Sequence, residues 1–217
     1  MHLKRPFVAL LLGAIASGPL LLAGCSTFSQ SPNGHSMPIG DSSMADHEMT
    51  MDLGPKDAEF DLRFIDGMIL HHQGAIAMAE AVLQNSQRDE MRQLAQEVIA
   101  AQQSEIDQMQ QWRQDWYPNA SAEPVMYDAQ MGHTMAMPPE MQTAMRMDGG
   151  LGKADAEFDR RFIDAMIPHH EGALTMAEQV LEKSARSELR QVAEDILATQ
   201  QTEIDQMTQW RQDWYAQ

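Results

Sequence analysis

Two stretches of this chain place histidine and methionine where a soft metal ion could be held. His169 and His170 are adjacent between Met166 and Met176, and 98 residues upstream His71 and His72 stand between Met68 and Met78 in the same arrangement. In an α-helix each residue advances by about 100°, so Phe60, Phe64, Ile65, Met68, Ile69, Ala75, Ile76, Ala79, Val82 and Leu83 share one apolar face. His72 falls near the middle of that face, His71 near its edge, and Met78 points almost the same way as His71. A thioether and an imidazole on one side of a helix can close on one ion, and thioether donors select Cu(I) over hard cations. Methionine on an apolar face also serves as core filler, and a histidine there as hydrogen-bonded structure. The repeated pairing favours ligation, because a core requires apolar side chains rather than this polar pair.

Further soft donors lie outside these stretches. Residues 25–55, rich in Ser, Gly, Pro and Asp and read as a flexible tether, carry His35, Met37, Met44, His47, Met49 and Met51, and residues 118–154 carry Met126, Met131, Met135, Met137, Met141, Met145 and Met147 with His133. Met131, His133, Met135 and Met137 fall within seven residues and are candidate ligands themselves. Eleven methionines outside any predicted core leave ligation, a Met-rich docking surface or reversible oxidant scavenging as their uses.

A harder metal centre is a competing reading. Asp61 and Asp159 project near His72 and His170, and Gln102, Glu105, Gln200 and Glu203 lie on the matching faces of the following helices. A metal-dependent redox enzyme would use Asp61, His72 and Glu105 with their counterparts. The Glu-x-x-His motif of di-iron bundles is absent, and buried carboxylates are otherwise satisfied by pairing with a histidine or with Arg113 or Arg211.

The elements that position these residues come in two copies. Asp57–Tyr117 and Asp155–Tyr215 align without a gap and share 41 of 61 residues, which marks an internal duplication. Each copy (56–117 and 155–217) reads as two helices around a turn at Asn85-Ser86 or Lys183-Ser184. Asp57 and Asp155 suit the N-cap of the first helix, and Ser86 and Ser184 that of the second. The second helices carry Met91, Leu94, Ala95, Val98, Ile99, Ile106, Met109, Trp112 and Trp116 on one face, with matching residues in the later copy. One αα-hairpin cannot bury both apolar faces, so the predicted fold is all-α: two tandem hairpins forming a four-helix bundle, either within one chain or between two. The Trp-containing ends, Gln111–Tyr117 and Gln209–Tyr215, would close it. Pro168, which replaces Leu70 of the first copy, removes a helical hydrogen bond and could bend its helix. The segment 118–154 reads as a flexible linker interrupted by Pro138-Pro139 and Gly149-Gly150, with a short helix feasible over Pro139–Met147.

The N-terminus predicts export. Lys4 and Arg5 precede an apolar run from Phe7 to Leu22, and small residues lead to Cys25, as in a cleaved signal over 1–24. The run is shorter and more interrupted than a membrane span. Leu22-Ala23-Gly24-Cys25 resembles the bacterial lipobox, which implies lipidation of Cys25 and a membrane anchor. Ser26 then implies the periplasmic face of the outer membrane in a diderm cell, and otherwise the outer face of the cell membrane. Cys25 is the only cysteine, so no intramolecular disulfide forms. The formal charge of −17 becomes −19 once Lys4 and Arg5 leave with the signal, which disfavours nucleic acid and attracts cations.

Over Phe60–Ala79 and Phe158–Ala177, the pattern F-x-x-x-F-I-D-x-M-I-x-H-H-x-G-A-x-x-M-A resembles the bacterial family known as domain of unknown function 305. The resemblance implies a ferritin-like helical bundle and, from Met-rich exported members, copper binding and copper resistance. It carries Met68, His71, His72, Met78, Met166, His169, His170 and Met176 over as candidate ligands. The expected function is an exported lipoprotein that binds Cu(I), with Ag(I) and Cu(II) as further cargo, for buffering, tolerance or transfer to a partner protein. Binding should weaken as histidine protonates. The alternatives are the redox enzyme above and a non-catalytic envelope interaction protein.

Overall fold

Each repeat folds into two long helices because its apolar residues recur with helical spacing and its turn ends the first helix cleanly. The computed structural model describes residues 51–216, so the signal, Cys25 and the tether through Thr50 lie outside the described residues. Helix α1 spans Phe60–Asn85 and α2 Asp89–Trp116; α4 spans Phe158–Lys183 and α5 Ser187–Tyr215. Between the repeats stand strands β1, Val125–Asp128, and β2, His133–Ala136, and helix α3, Pro139–Arg146.

The helix boundaries differ from those expected at the aspartates. α1 begins three residues after Asp57, whose carboxylate accepts a hydrogen bond from Glu59 N at 2.9 Å and pairs with Arg63 at 3.0 Å. Asp155 repeats this with Glu157 N at 3.0 Å and with Arg161 at 2.9 Å. The side chain that would cap the helix is thus used to form the turn before it. Ser86 stops α1 by going extended, and its Oγ accepts Arg88 N at 3.2 Å rather than capping the first turn of α2.

The bundle is intramolecular and has approximate twofold symmetry. One core cluster joins Phe60–Ile69 of α1 and Ile106 and Met109 of α2 to Ala173–Val180 of α4 and Leu189–Ile196 of α5. The other joins the complementary halves, Ala75–Val82 and Met91–Val98 with Phe158–Met166 and Met207. This exchange of halves means that α1 and α4 run antiparallel and cross near their middles. Symmetric contacts close the two ends: Arg88 pairs with Asp159 and Arg186 with Asp61, each at 3.3 Å. Arg88 also lies over Trp214 and Arg186 over Trp116, while Trp112–Trp116 and Trp210–Trp214 stack at 5.1 and 5.0 Å. At 40–44% exposure of the arginines, each ion pair contributes at most about 1 kcal/mol. Burial of the apolar halves therefore dominates the association.

The linker corrects the expectation of a flexible segment. β1 and β2 pair antiparallel, Val125 with Ala136 through Asp128 with His133. Val125 N donates to buried Asp66 Oδ2 at 3.0 Å, and Thr134 Oγ1 accepts from Arg63 at 2.6 Å. Arg63 is almost wholly buried and also donates to Leu53 O and Pro55 O, at 2.6 and 2.8 Å. One guanidinium thus ties the chain before α1 to the hairpin. The short helix predicted over Pro139–Met147 is present as α3, ended by Met147 with φ +48°. β1 and the body of α3 pack on α1, while the end of α3 and the residues after it reach α4 at His169, Gly172 and Arg161. Accordingly Leu62 and Leu70 are buried, whereas their counterparts Arg160 and Pro168 face outward. α4 runs through Pro168 without interruption.

Candidate metal centre

The antiparallel crossing brings one histidine of each pair together. The rings of His71 and His169 lie 3.8 Å apart, centroid to centroid, at 47°, and both residues are fully buried. Two further features of the crossing depend on glycine. A methyl group on Gly172 would stand 3.2 Å from His71 Nε2, 3.2 Å from Met51 Cε and 3.8 Å from Met147 Sδ. The Met147 sulphur, the terminal methyl of Met51 and an imidazole nitrogen therefore converge on one small space. On the other side, a methyl on Gly74 would fall 1.7 Å from the Arg146 carbonyl oxygen, so only glycine lets the end of α3 seat there.

That carbonyl fixes the state of His169. Its Nε2 lies 3.0 Å from Arg146 O; a carbonyl only accepts, so Nε2 carries the proton and Nδ1 presents its lone pair. His169 Nδ1 has no partner, and neither nitrogen of His71 has one. An unpartnered buried polar group costs about 1–3 kcal/mol, so His71 is held at a cost to stability, as expected of a residue retained for its lone pair. Burial pushes His71 well below the ordinary histidine value, and the charges of His169, His72 and His170 push the same way. Burial, then His170, lowers His169 to about 3. Both rings are thus neutral, the protonation state a metal requires.

His72 and His170 are engaged differently. His72 Nε2 donates to Glu105 at 2.7 Å and His170 Nε2 to Glu203 at 2.6 Å, pinning α1 to α2 and α4 to α5. These pairs satisfy the buried carboxylates that sequence reasoning flagged. The other two acids, Asp61 and Asp159, pair not with a histidine or with Arg113 or Arg211, as expected, but with arginines of the opposite repeat, while Arg113 takes Asp66 at 2.5 Å and Arg211 takes Asp164 at 2.8 Å. Asp61, His72 and Glu105 are therefore not gathered into one centre. Among the described residues no group of three or more His, Cys, Asp or Glu is placed to hold a metal.

The predicted methionines separate as well. Met68 and Met176 pack in one core cluster, Met78 and Met166 in the other. Met176 Sδ approaches the position of Gly67, one turn from His71. Met137 is buried, Met135 half-buried, and Met131 and His133 sit exposed at the hairpin tip, Met131 at 69%. Residues flanking the repeats, Met51 and Met147, are the thioethers at the histidine pair. Their role was not legible locally, because helical periodicity says nothing about loops. A signal did exist: Leu62 and Leu70, against Arg160 and Pro168, mark α1 as the helix that something covers.

The fold and this centre define a helical-bundle protein with soft nitrogen and sulphur donors at the crossing of two repeats. The chain belongs to the family described as Domain of unknown function (DUF305), which it matches over residues 30–211. It is similar to CopM solved in a Cu(I)-bound form, with 35% identity covering 72% of this chain and 98% of that one, TM-score 0.55. Against CopM in a Cu(II)-bound form the figures are 37%, 71%, 97% and 0.57. A DUF305 fragment from Deinococcus radiodurans is 28% identical, over 71% of this chain and 95% of the fragment, TM-score 0.55. Uncharacterized protein L153 of Acanthamoeba polyphaga mimivirus is 37% identical over 49 residues, 23% of this chain, and the match spans only 32% of that relative.

Proposed function

We propose that this protein binds Cu(I) as cargo at the crossing of α1 and α4, through His71 and His169 with Met51 and Met147, and buffers the ion or hands it to a partner protein. The observation that carries the reading is His71: fully buried, without a hydrogen bond on either nitrogen, and facing a second neutral imidazole beside two thioethers. This donor set suits a soft monovalent ion. Two imidazoles at metal–nitrogen distances of about 2.0–2.1 Å need more room than the present ring spacing. His71 is the ring free to swing, since Arg146 O anchors His169. Similarity to CopM in Cu(I)-, Ag- and Cu(II)-bound forms supports the same cargo.

The segment before the described residues supports export and lipidation at Cys25, which would hold the bundle on the outer face of a membrane. Among the described residues no helix is long and apolar enough to cross one. The acidic surface concentrates cations around the bundle.

The test is an anaerobic Cu(I) titration against a competing chelator, with X-ray absorption of the loaded protein, for wild type, His71→Gln and His169→Gln. The reading expects mixed nitrogen and sulphur neighbours in wild type and an affinity at least tenfold lower in each variant. Unchanged affinity in both variants, or a first shell without nitrogen, would refute it.

A further inference from the structure

A second group of sulphurs stands apart from the histidine pair. The hairpin, α3 and the chain before α1 enclose a cavity of about 60 Å³, and five of its ten lining residues are methionines: Met51, Met126, Met137, Met141 and Met145. They arrive from four separate stretches of the chain. Met126 comes from β1, Met141 and Met145 lie one turn apart on α3, and Met137 and Met51 come from the loops before α3 and α1. The cavity holds two charged groups, Arg63 and Asp52. Asp52 is turned to the backbone, accepting Gly54 N at 2.8 Å, and Arg63 is spent on Asp57, Thr134 and two carbonyls.

Apolar filling alone does not account for this choice of side chain. From Pro118 to Gly150 the chain has seven methionines and no leucine, isoleucine, phenylalanine or tryptophan, whereas the faces of the four long helices mix all of these. Leucine fills such spaces with better-defined rotamers, and methionine is flexible and under-specifies a core. What methionine adds is a neutral, polarisable sulphur lone pair, which favours Cu(I) and Ag(I) over Cu(II), zinc or hard cations.

We propose that this cavity is a second metal site, built of thioethers alone and selective for soft monovalent ions, lying on the way to the histidine pair. Its donors run in a line of decreasing exposure. Met131 is exposed at the hairpin tip, Met126 and Met135 are cross-strand partners and half-buried, and Met137 is buried. Met51 belongs to both sites: it lines the cavity, and its terminal methyl reaches the Gly172 space beside His71. An ion exchanging thioethers stepwise along this line would reach the imidazoles without passing through water. The inference does not depend on the histidines being ligands.

The test uses the full-length chain in detergent, labelled with ¹³C at the methionine methyls and carrying His71→Gln and His169→Gln. It is titrated with silver nitrate in chloride-free buffer. The proposal expects the Met126, Met137, Met141 and Met145 signals to move together within the first equivalent, ahead of Met131. In otherwise wild-type protein, Met126→Leu, Met137→Leu and Met141→Leu together should remove one tightly bound silver per chain, with thermal stability nearly unchanged because the swap conserves volume. Unmoved signals at one equivalent in the folded double variant, or a triple-leucine protein that binds as many silver ions as its parent, would overturn it. Because the first arm removes both imidazoles, failure of the histidine centre is read separately.

Discussion

Gly74 and Gly172 occupy the same position of the two repeats, yet the same substitution should act on them in opposite ways. Replacing a mid-helix glycine by alanine favours the helix by about 1 kcal/mol. At Gly172 the new methyl meets the ends of two side chains, His71 Nε2 and Met51 Cε, both at 3.2 Å. His71 has no hydrogen bond to lose, so both neighbours can move aside. Gly172→Ala should leave the metal-free protein equal to or up to about 1 kcal/mol more stable, a rise of at most about 4 °C. At Gly74 the methyl would overlap the Arg146 carbonyl at 1.7 Å, and a backbone group cannot rotate away. The end of α3 must lift, and His169 loses its acceptor at the cost of about 1–3 kcal/mol for a buried N–H. Set against the propensity gain of about 1 kcal/mol, Gly74→Ala should destabilise by up to about 2 kcal/mol, a fall of up to roughly 8 °C. Calorimetry gives the stabilities, and hydrogen exchange over residues 139–147 shows whether α3 has lifted. Both variants should bind Cu(I) at least tenfold more weakly, one by crowding the donor space and the other by withdrawing Met147. Equal melting temperatures for the two variants, with α3 equally protected, would refute the asymmetric seating of α3 and with it the assignment of Met147 to the centre.

The two histidines of each pair should separate by chemistry. His170→Leu leaves Glu203 buried without its donor and should cost about 3 kcal/mol, whereas His71→Leu removes an unpartnered polar group, leaves apo stability within about 1 kcal/mol and loses the Cu(I) held by nitrogen at the crossing of α1 and α4; urea denaturation with X-ray absorption of the loaded protein decides. Acid should destabilise the metal-free fold in a defined window. His71 and His169 stay neutral when folded, His169 down to about 3, but take up protons when unfolded from about 6.5 downward. Since the unfolded state then binds more protons, both lower the stability as pH falls below about 6.5, His169 until about 3, and a flat stability profile there would contradict their burial. Peroxide should oxidise Met131, 69% exposed, well before Met51 and Met137, at 6% and 3%, as peptide mass spectrometry would show; equal rates would mean that the linker does not pack as described.

Residue order alone was enough for the part of the molecule governed by local spacing and by the duplication. Periodicity over Phe60–Leu83 and its copy is sufficient for the helices, the turn residues set the hairpins, and an apolar face on every helix requires the hairpins to pair. The histidine pairs were legible as chemistry for the same reason, since polar residues repeated on a buried face need an explanation. Tertiary structure decided which histidine does what. Antiparallel crossing at the middles of α1 and α4 puts His71 opposite His169, whereas the neighbouring position, 100° around each helix, turns His72 and His170 towards the carboxylates of α2 and α5. It also decided the sulphurs. Met51 and Met147 reach the centre because the linker folds over α1, through contacts of Arg63, Asp66 and Gly74 with residues far along the chain. No periodicity encodes such contacts, because they depend on where a loop returns rather than on how a helix turns.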